Sequence, residues 1–568
     1  MAPAQQVQMT VRKLMPGWPT SLAKFWFVAP ALVAFAIHLP SLRHGFVGDD
    51  AFLVLGNPQV TSPSSLREVL LTDWFDHGGR GGIGYYRPVV KASFRLTYAV
   101  FGANPLPYHA TNVLAHGFAA MCLCLLAAQL IRPVQAFFAA ALFAVHPATV
   151  EAVDVITARS DVFAGLFVLA SLAALIRWRD SGRLRWLWAS VVLSGLAYGS
   201  KESALLLPVA LFAWAYRSGQ LTRRLWSYLP FAAVWLGMLA IRLAVSFTRP
   251  IPNALAEKTW LIRAEAVFKV IATYLRPLAL AQPLFILPRV PKSLAEPPVL
   301  VGICIVAAAM VYLWSTRAKT PGGFAIILIG VALAPALVLW HIHIPSWKDE
   351  LPAAERWLYL PLAGIALLAG YLLNQSKQRA IRTIGFALLP VYAGAAWIRT
   401  PIYASNQTYM AFALDQLKDS DDASLSPPDR YVSRLYRAVK LKDEGHSAEA
   451  LPLLVDATKI APWLADAWKQ LGAVHFNLGH AAEAERALKL VLSPEFANNL
   501  EGLRQRAEYH NDTLERMDRL PLYELLARAL IQQGKTVEAA KVLARASQLR
   551  ASRGRLAPTS SSPQAAAR

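Results

Sequence analysis

The chain has 568 residues, of which 55% are hydrophobic and 16% charged, with a mean hydropathy of +0.36. Soluble domains carry about 25% charged residues, so the shortfall excludes an ordinary soluble enzyme and points to a membrane protein. The net charge is +21, yet most of the excess arginine sits in short gaps between apolar runs, where it encodes topology and not a nucleic-acid face.

Residues 1–21 read as a cytoplasmic N-terminal segment. No small-residue cleavage site follows the first apolar run, which is therefore expected to be a retained span. Runs that reach or approach the length needed to cross a bilayer lie at 22–40, 109–131, 134–146, 157–177, 185–200, 203–216, 226–246, 298–316, 323–341, 354–373 and 381–400. Those at 134–146 and 203–216 are short. A run near 266–287 is interrupted by Arg276, Pro277, Pro283 and Pro288, and reads as a re-entrant or surface helix. With Arg12, Lys13 and Lys24 in the cytoplasm, the short basic loops fall on that same side. They hold Arg132; Arg177, Arg179, Arg183 and Arg185; Arg217, Arg223 and Arg224; Arg317 and Lys319; and Lys377, Arg379 and Arg382. Eleven spans are expected within a membrane domain at 22–400, with external loops at 41–108 and 247–297. Cys122, Cys124 and Cys304 all lie in apolar segments, against a disulfide framework or a cysteine metal site.

An odd number of spans puts the remainder outside: a linker at 401–429, a repeat domain at 430–553 and a disordered tail at 554–568. Gly445 and Gly479 are 34 residues apart, as are Glu449 and Glu483, and Gly534 follows after 55 more. Trp468, Leu471, Gly472, Phe476, Ala484, Leu488 and Pro494 fit a helix–turn–helix repeat of the tetratricopeptide (TPR) kind. The fold class expected is thus all-α: a polytopic membrane helix bundle followed by a short TPR α-solenoid. Its groove is expected to take a peptide or protein ligand or to position an acceptor. Trp463 and Trp468 read as repeat-packing residues.

Charges gather at the external helix ends. Asp49 and Asp50 follow the first span, where adjacent carboxylates raise each other's pKa and suit one of them to accept a proton; a helix cap or a solvated loop is the plainer reading. Glu151, Asp154, Arg159 and Asp161 occupy the next external loop, Lys201 and Glu202 a third, and Glu355, Arg356 and Tyr359 a fourth, with Glu355 and Tyr359 on one helix face. Any one cluster fits a salt bridge. Four on one side of one membrane point to a site that holds a lipid-linked phosphate ester with Arg or Lys while a carboxylate deprotonates an attacking hydroxyl. No metal site is evident, although the carboxylates leave room for a divalent ion.

The phrases GDDAFLVLGNPQV, YYRPVVKASFRLTYAVFGANPLPYHATNVLAH, ALFAVHPATVEAVDVITARSDVFA, GSKESALLLPV and AERWLYLPLAG occur in order. With the C-terminal repeats, they make the chain resemble the transmembrane and TPR-repeat-containing O-mannosyltransferases and their bacterial relatives. The resemblance implies a GT-C-like fold, a polyprenyl-phosphate-sugar donor carrying a mannose-like hexose, an inverting transfer, and a catalytic aspartate in the first external loop. That role falls on Asp49 or Asp50, with Asp50 preferred. It also implies that Arg87, His146, Arg159, Lys201 and Arg356 line the donor phosphate or support the fold around it; His146 fits a helix cap equally well. Partners expected are the lipid bilayer, the lipid-linked sugar and a protein or glycan acceptor, in a bacterial inner membrane with the repeats periplasmic. The repeat array is short for the family, which leaves a glycan or lipid acceptor open beside a protein. A scaffold recruiting envelope enzymes through the TPR groove is the alternative function. A flippase would call for charges near the bilayer midplane.

Overall fold

The computed structural model describes residues 26–62, 66–74, 85–217, 225–246, 259–284, 288–338, 351, 353–417, 427–462, 464–493 and 519–554. The expectations placed on residues 1–21, Lys24, Arg223, Arg224, Trp463, Pro494 and nearly all of the tail lie outside these residues. The chain divides into two compact units, one running to Tyr409 and the other starting at Met410 among the described residues. Every described element is helical.

In the first unit each of the eleven expected runs coincides with a helix. These are α1 (Ala29–Ile37), α3 (Pro105–Ala128), α4 (Pro133–Val145), α6 (Arg159–Ser181), α7 (Leu184–Tyr198), α8 (Leu207–Arg217), α9 (Leu229–Ser246), α12 (Pro297–Thr316), α13 (Pro321–Val338), α14 (Tyr359–Gln375) and α15 (Arg379–Arg399). Among the described residues, six of the eleven runs hold helices long and apolar enough to cross a membrane. A seventh is the bent pair of α4 and the turn Pro147–Asp154, which contains α5 (Val150–Asp154) and turns by 54°. The protein is therefore a multi-pass membrane protein. Between α1 and α3 lies the helix α2 (Pro88–Phe101). The proline-broken run forms α10 (Trp260–Thr273) and the six-residue α11 (Leu275–Leu280), which packs beneath the α4–α5 bend.

The boundaries follow local chemistry. Asn104 caps α3 by accepting from the Leu106 amide at 3.1 Å, with Pro105 in the first turn. Gly182 ends α6 at φ +69°, a conformation open to glycine at little strain. The centre of the bundle is α3, α4, α6 and α14. The apolar stretches of α3, α6 and α14 are 61%, 72% and 67% buried, whereas those of α9, α12 and α15 are 6–11% buried and so present apolar side chains to lipid.

The loop between α1 and α3 is tied down from inside. Lys91 is fully buried, and its ammonium donates to Gln59 Oε1, Thr72 Oγ1 and the Asp73 carbonyl, each at 2.7 Å. Trp74, Phe94, Tyr108 and Ile156 close a small apolar core around it. The stretch from 401, expected to be a free linker, instead starts as a buried turn at Thr400–Tyr403. Tyr403 packs with Val150 and Ala396, and its ring stacks on Tyr409.

The second unit consists of helix pairs: α17 (Pro427–Asp443) with α18 (Ser447–Ile460), α19 (Ala465–Asn477) with α20 (Ala481–Leu492), and α21 (Arg519–Gln532) with α22 (Thr536–Gly554). Helix α16 (Asn406–Leu417) precedes them. Gly445, Gly479 and Gly534 sit in the turn of each pair at φ between +74° and +88°, which is why the repeat keeps glycine there. Trp468 packs into the cores on both sides of it.

Candidate functional site

Four chain segments meet at one end of the bundle: the residues entering α2, the N-terminus of α6, the turn from Lys201 to Leu206, and the turn Glu355–Leu358. Between them is a cleft whose empty space, with the solvent at its open mouth included, comes to about 400 Å³. Tyr85, Arg87, Asp161, Lys201, Glu202, Ser203 and Trp357 line it, and Ala332, Pro335 and Ala336 of α13 form an apolar wall. Of the residues expected from sequence, Arg87, Asp161, Lys201 and Glu202 therefore share one cavity although up to 115 positions separate them.

Their pairing is dense. The Arg87 guanidinium donates to Glu202, with Nη2 at 2.8 Å from Oε2, and also to Ser160 Oγ, and it lies 4.8 Å from the Tyr85 ring centroid. Burial opposes its charge, but Glu202 outweighs the burial and raises its pKa. Arg242, from α9, donates to the other Glu202 oxygen at 3.2 Å. Lys201 Nζ contacts Asp161 Oδ1 directly, and burial lowers the lysine's pKa. Beside the cleft, Arg356 donates to both Glu151 oxygens, from Nη1 at 2.5 Å and from its backbone amide at 2.8 Å. Arg356 also lies within electrostatic range of Asp161 and Asp49. The cluster offers an anion several cations, each already oriented by a carboxylate.

The two adjacent aspartates part company. Asp50 is fully buried, with Oδ2 accepting from the Val47 and Ile156 amides at 3.0 and 3.3 Å and Oδ1 from Thr157 at 2.8 Å. It ties the loop after α1 to the turn before α6. Burial pushes its pKa up to about 6 against the pull of those amides. Asp49 is exposed.

Other expected residues sit elsewhere. Arg159 is completely buried, donating to Asn112 Oδ1 and the Tyr108 carbonyl at 2.9 Å and to Ser93 Oγ at 3.1 Å, with its guanidinium 4.3 Å from the Phe94 ring centroid. It is a core cation and does not line the cleft. His146 Nδ1 accepts from the Ala148 amide at 3.1 Å while Nε2 donates to the Leu278 carbonyl at 3.0 Å, so it caps the bend after α4 and holds α11. Glu355 is 1% exposed and bound to Arg399 at 2.7 Å. Tyr359 is buried, donating to His116 Nδ1 at 2.9 Å, in a space left by Gly165, where a Cβ would lie 2.6 Å from the ring. Among the described residues no three His, Cys, Asp or Glu side chains converge on a metal position.

The sequence reading passed over Arg242, Tyr85 and Trp357. Arg242 carried a signal: a charge inside the apolar run 226–246 is expensive unless it faces a cavity or a partner. The aromatics carried none, since the membrane domain is rich in them.

An all-α, multi-pass membrane protein with a charged cleft at its helix ends is thus defined. Residues 86–246 match the family described as dolichyl-phosphate-mannose-protein mannosyltransferase. This stretch holds Arg87, Glu151, Asp161, Lys201, Glu202 and Arg242. The chain is 36% identical over 181 residues to the protein O-mannosyl-transferase Tmtc1 of Drosophila melanogaster, covering 30% of this chain and 20% of that one. It is 32% identical over 181 residues to the protein O-mannosyl-transferase F38B6.6 of Caenorhabditis elegans, covering 31% and 26%. Human protein O-mannosyl-transferase TMTC1 is 33% identical over 147 residues, covering 25% and 17%. The matches therefore span about a quarter or less of each relative's length. The resemblance to the transmembrane and TPR O-mannosyltransferases is borne out over these residues. The crystal structure of ArnT from Cupriavidus metallidurans bound to undecaprenyl phosphate aligns over 83% of this chain and 80% of that one, at 13% identity and a TM-score of 0.38.

Proposed function

We infer that the protein is a membrane glycosyltransferase that moves a mannose-like hexose from a polyprenyl-phosphate carrier to a hydroxyl of a protein or envelope glycan. The observation that carries this reading is the cleft itself: Arg87 and Lys201 face an apolar wall made by α13, with Arg356 adjoining and within electrostatic range of Asp49. In this reading the phosphate sits on the cations and the lipid follows α13 into the bilayer. The acceptor oxygen attacks the anomeric carbon from the face opposite the phosphate and loses its proton to a carboxylate. The bond from that carbon to the phosphate oxygen breaks, and its electron pair leaves on the polyprenyl phosphate. Arg87, Lys201 and Arg356 meet the charge that grows there. One displacement of this kind inverts the anomeric centre.

Asp49 is the base in this account, in place of the Asp50 preferred from sequence. The raised pKa of Asp50 suits a base, but geometry comes first. Both Asp50 oxygens are occupied by backbone amides and the side chain has no exposed surface. The cleft is assigned to the external face of a bacterial inner membrane, and the helix pairs of the second unit to a TPR stack that receives the acceptor.

The test is transfer of labelled hexose from its polyprenyl-phosphate ester by purified protein. Asp49→Asn is expected to lower kcat by about a hundredfold or more at unchanged protein level. Wild-type rates from Asp49→Asn would remove the base assignment. If deletion of residues 427–568 abolished the cellular phenotype while Asp49→Asn left it intact, the scaffold reading would replace the enzymatic one.

A further inference from the structure

Of the carboxylates in and beside the cleft, Glu202 has both oxygens on arginines, and Glu151 has both on Arg356. Asp161 differs. It is 6% exposed and lines the cleft, and Oδ1 is taken by Lys201, but Oδ2 is buried with no hydrogen-bond partner among the described residues. A buried carboxylate oxygen left without a donor is unfavourable and uncommon, so it marks a position where a ligand supplies the donor.

The ligand's chemistry follows from the neighbours. A phosphate oxygen would be repelled by a second anion, so Oδ2 does not face the phosphate; its complement is an O–H group. Lys201, on the other oxygen of the same carboxylate, fixes where the phosphate sits, and the hydroxyl must therefore lie within a few ångströms of it. Ring hydroxyls of a sugar bonded directly to that phosphate meet the requirement. Trp357 and Tyr85, on the same cleft, offer aromatic faces to the apolar side of such a ring.

The geometry points to Asp161 as the residue that recognises the donor's sugar: Oδ2 accepts a hydrogen bond from a ring hydroxyl while Oδ1 remains on Lys201. This inference rests on the proposed donor and adds a role beyond it. Asp161 selects for a hydroxylated sugar and couples that recognition to the phosphate through one carboxylate. Glu202, with no spare oxygen, orients Arg87 and Arg242 and contributes no such selection.

The experiment compares binding of two probes to full-length protein in detergent: a polyprenyl phosphate, and the same lipid bearing mannose. Asp161→Asn is expected to weaken the mannosyl lipid by between about tenfold and a hundredfold, the usual range for a hydrogen bond to a charged group. Binding of the bare lipid phosphate is expected to hold or tighten, because Lys201 is released from its carboxylate. Equal weakening of both lipids, or weakening of neither, would overturn the inference and leave the donor intact. Failure of wild-type protein to bind either lipid would instead remove the donor, and this inference with it. Should Asp161→Asn not fold, wild-type protein is probed with mannosyl lipids lacking one ring hydroxyl at a time. A single deoxy lipid is expected to show the loss, and equal affinity across the set would refute the role of Asp161.

Discussion

Replacing Asp50 by asparagine separates its structural role from the chemistry. Burial raises its carboxylate's pKa from the ordinary 3.8 to about 6 in the folded protein. The folded protein therefore holds this proton more tightly than the unfolded chain, and the associated stability is present at low pH and lost as pH rises from 3.8 through 6. At 1.36 kcal/mol per unit, the full loss is about 3 kcal/mol, and about 1 kcal/mol of it falls between pH 5 and 7. Asparagine cannot ionise, so the variant lacks this slope. It also sets an amide NH2 against a backbone N–H, a penalty of about 1–3 kcal/mol that does not change with pH. Unfolding of purified wild type and Asp50→Asn at pH 5 and pH 7 isolates the two effects. The wild type is expected to lose about 1 kcal/mol more than the variant on going to pH 7. Equal slopes, or a wild type that gains relative to the variant, would refute the buried, proton-retaining carboxylate.

Arg159→Met is expected to reduce folded yield, because it leaves Asn112 Oδ1 and the Tyr108 carbonyl without their donor inside the bundle, a loss of about 3 kcal/mol or more. Affinity of the surviving protein for polyprenyl phosphate should be unchanged, read by lipid binding on the folded fraction. Arg242→Gln leaves Arg87 as the only arginine donating to Glu202 Oε1 among the described residues, so the carboxylate can draw Arg87 away from the cleft. It is expected to raise KM for the lipid donor several-fold with kcat nearly intact, and a pure kcat effect would contradict that positioning.

The helices were legible because lipid demands long apolar runs, and each run has one. Length was less legible: α7, bounded by described residues at both ends, runs only from Leu184 to Tyr198 and is short for a bilayer. Which charges face the cleft was harder still. Arg159 and Asp161 are two positions apart on α6, about 200° around the helix, so both cannot face one cavity. Asp161 looks into the cleft and Arg159 into the core. Glu355 and Tyr359, expected on one helix face, are both buried but against different partners, because Glu355 lies in the turn before α14: Glu355 meets Arg399 and Tyr359 meets His116, while Arg356 emerges beside the cleft. For Asp49 and Asp50 no periodicity decides, because the loop's path is set by amides at 47, 156 and 157 that only the folded chain brings together.

The central claim is that a lipid-borne phosphate occupies the cleft between the residues entering α2, α6, the turn before α8, α13 and the turn before α14. Crosslinking with a photoreactive polyprenyl phosphate, followed by peptide mapping, tests it most directly. Label is expected on the segments around residues 85–87, 201–203, 332–336 and 357, and Arg87→Ala together with Lys201→Ala should abolish it. Label confined to the helix pairs after residue 427, or unchanged in the double variant, would contradict the account.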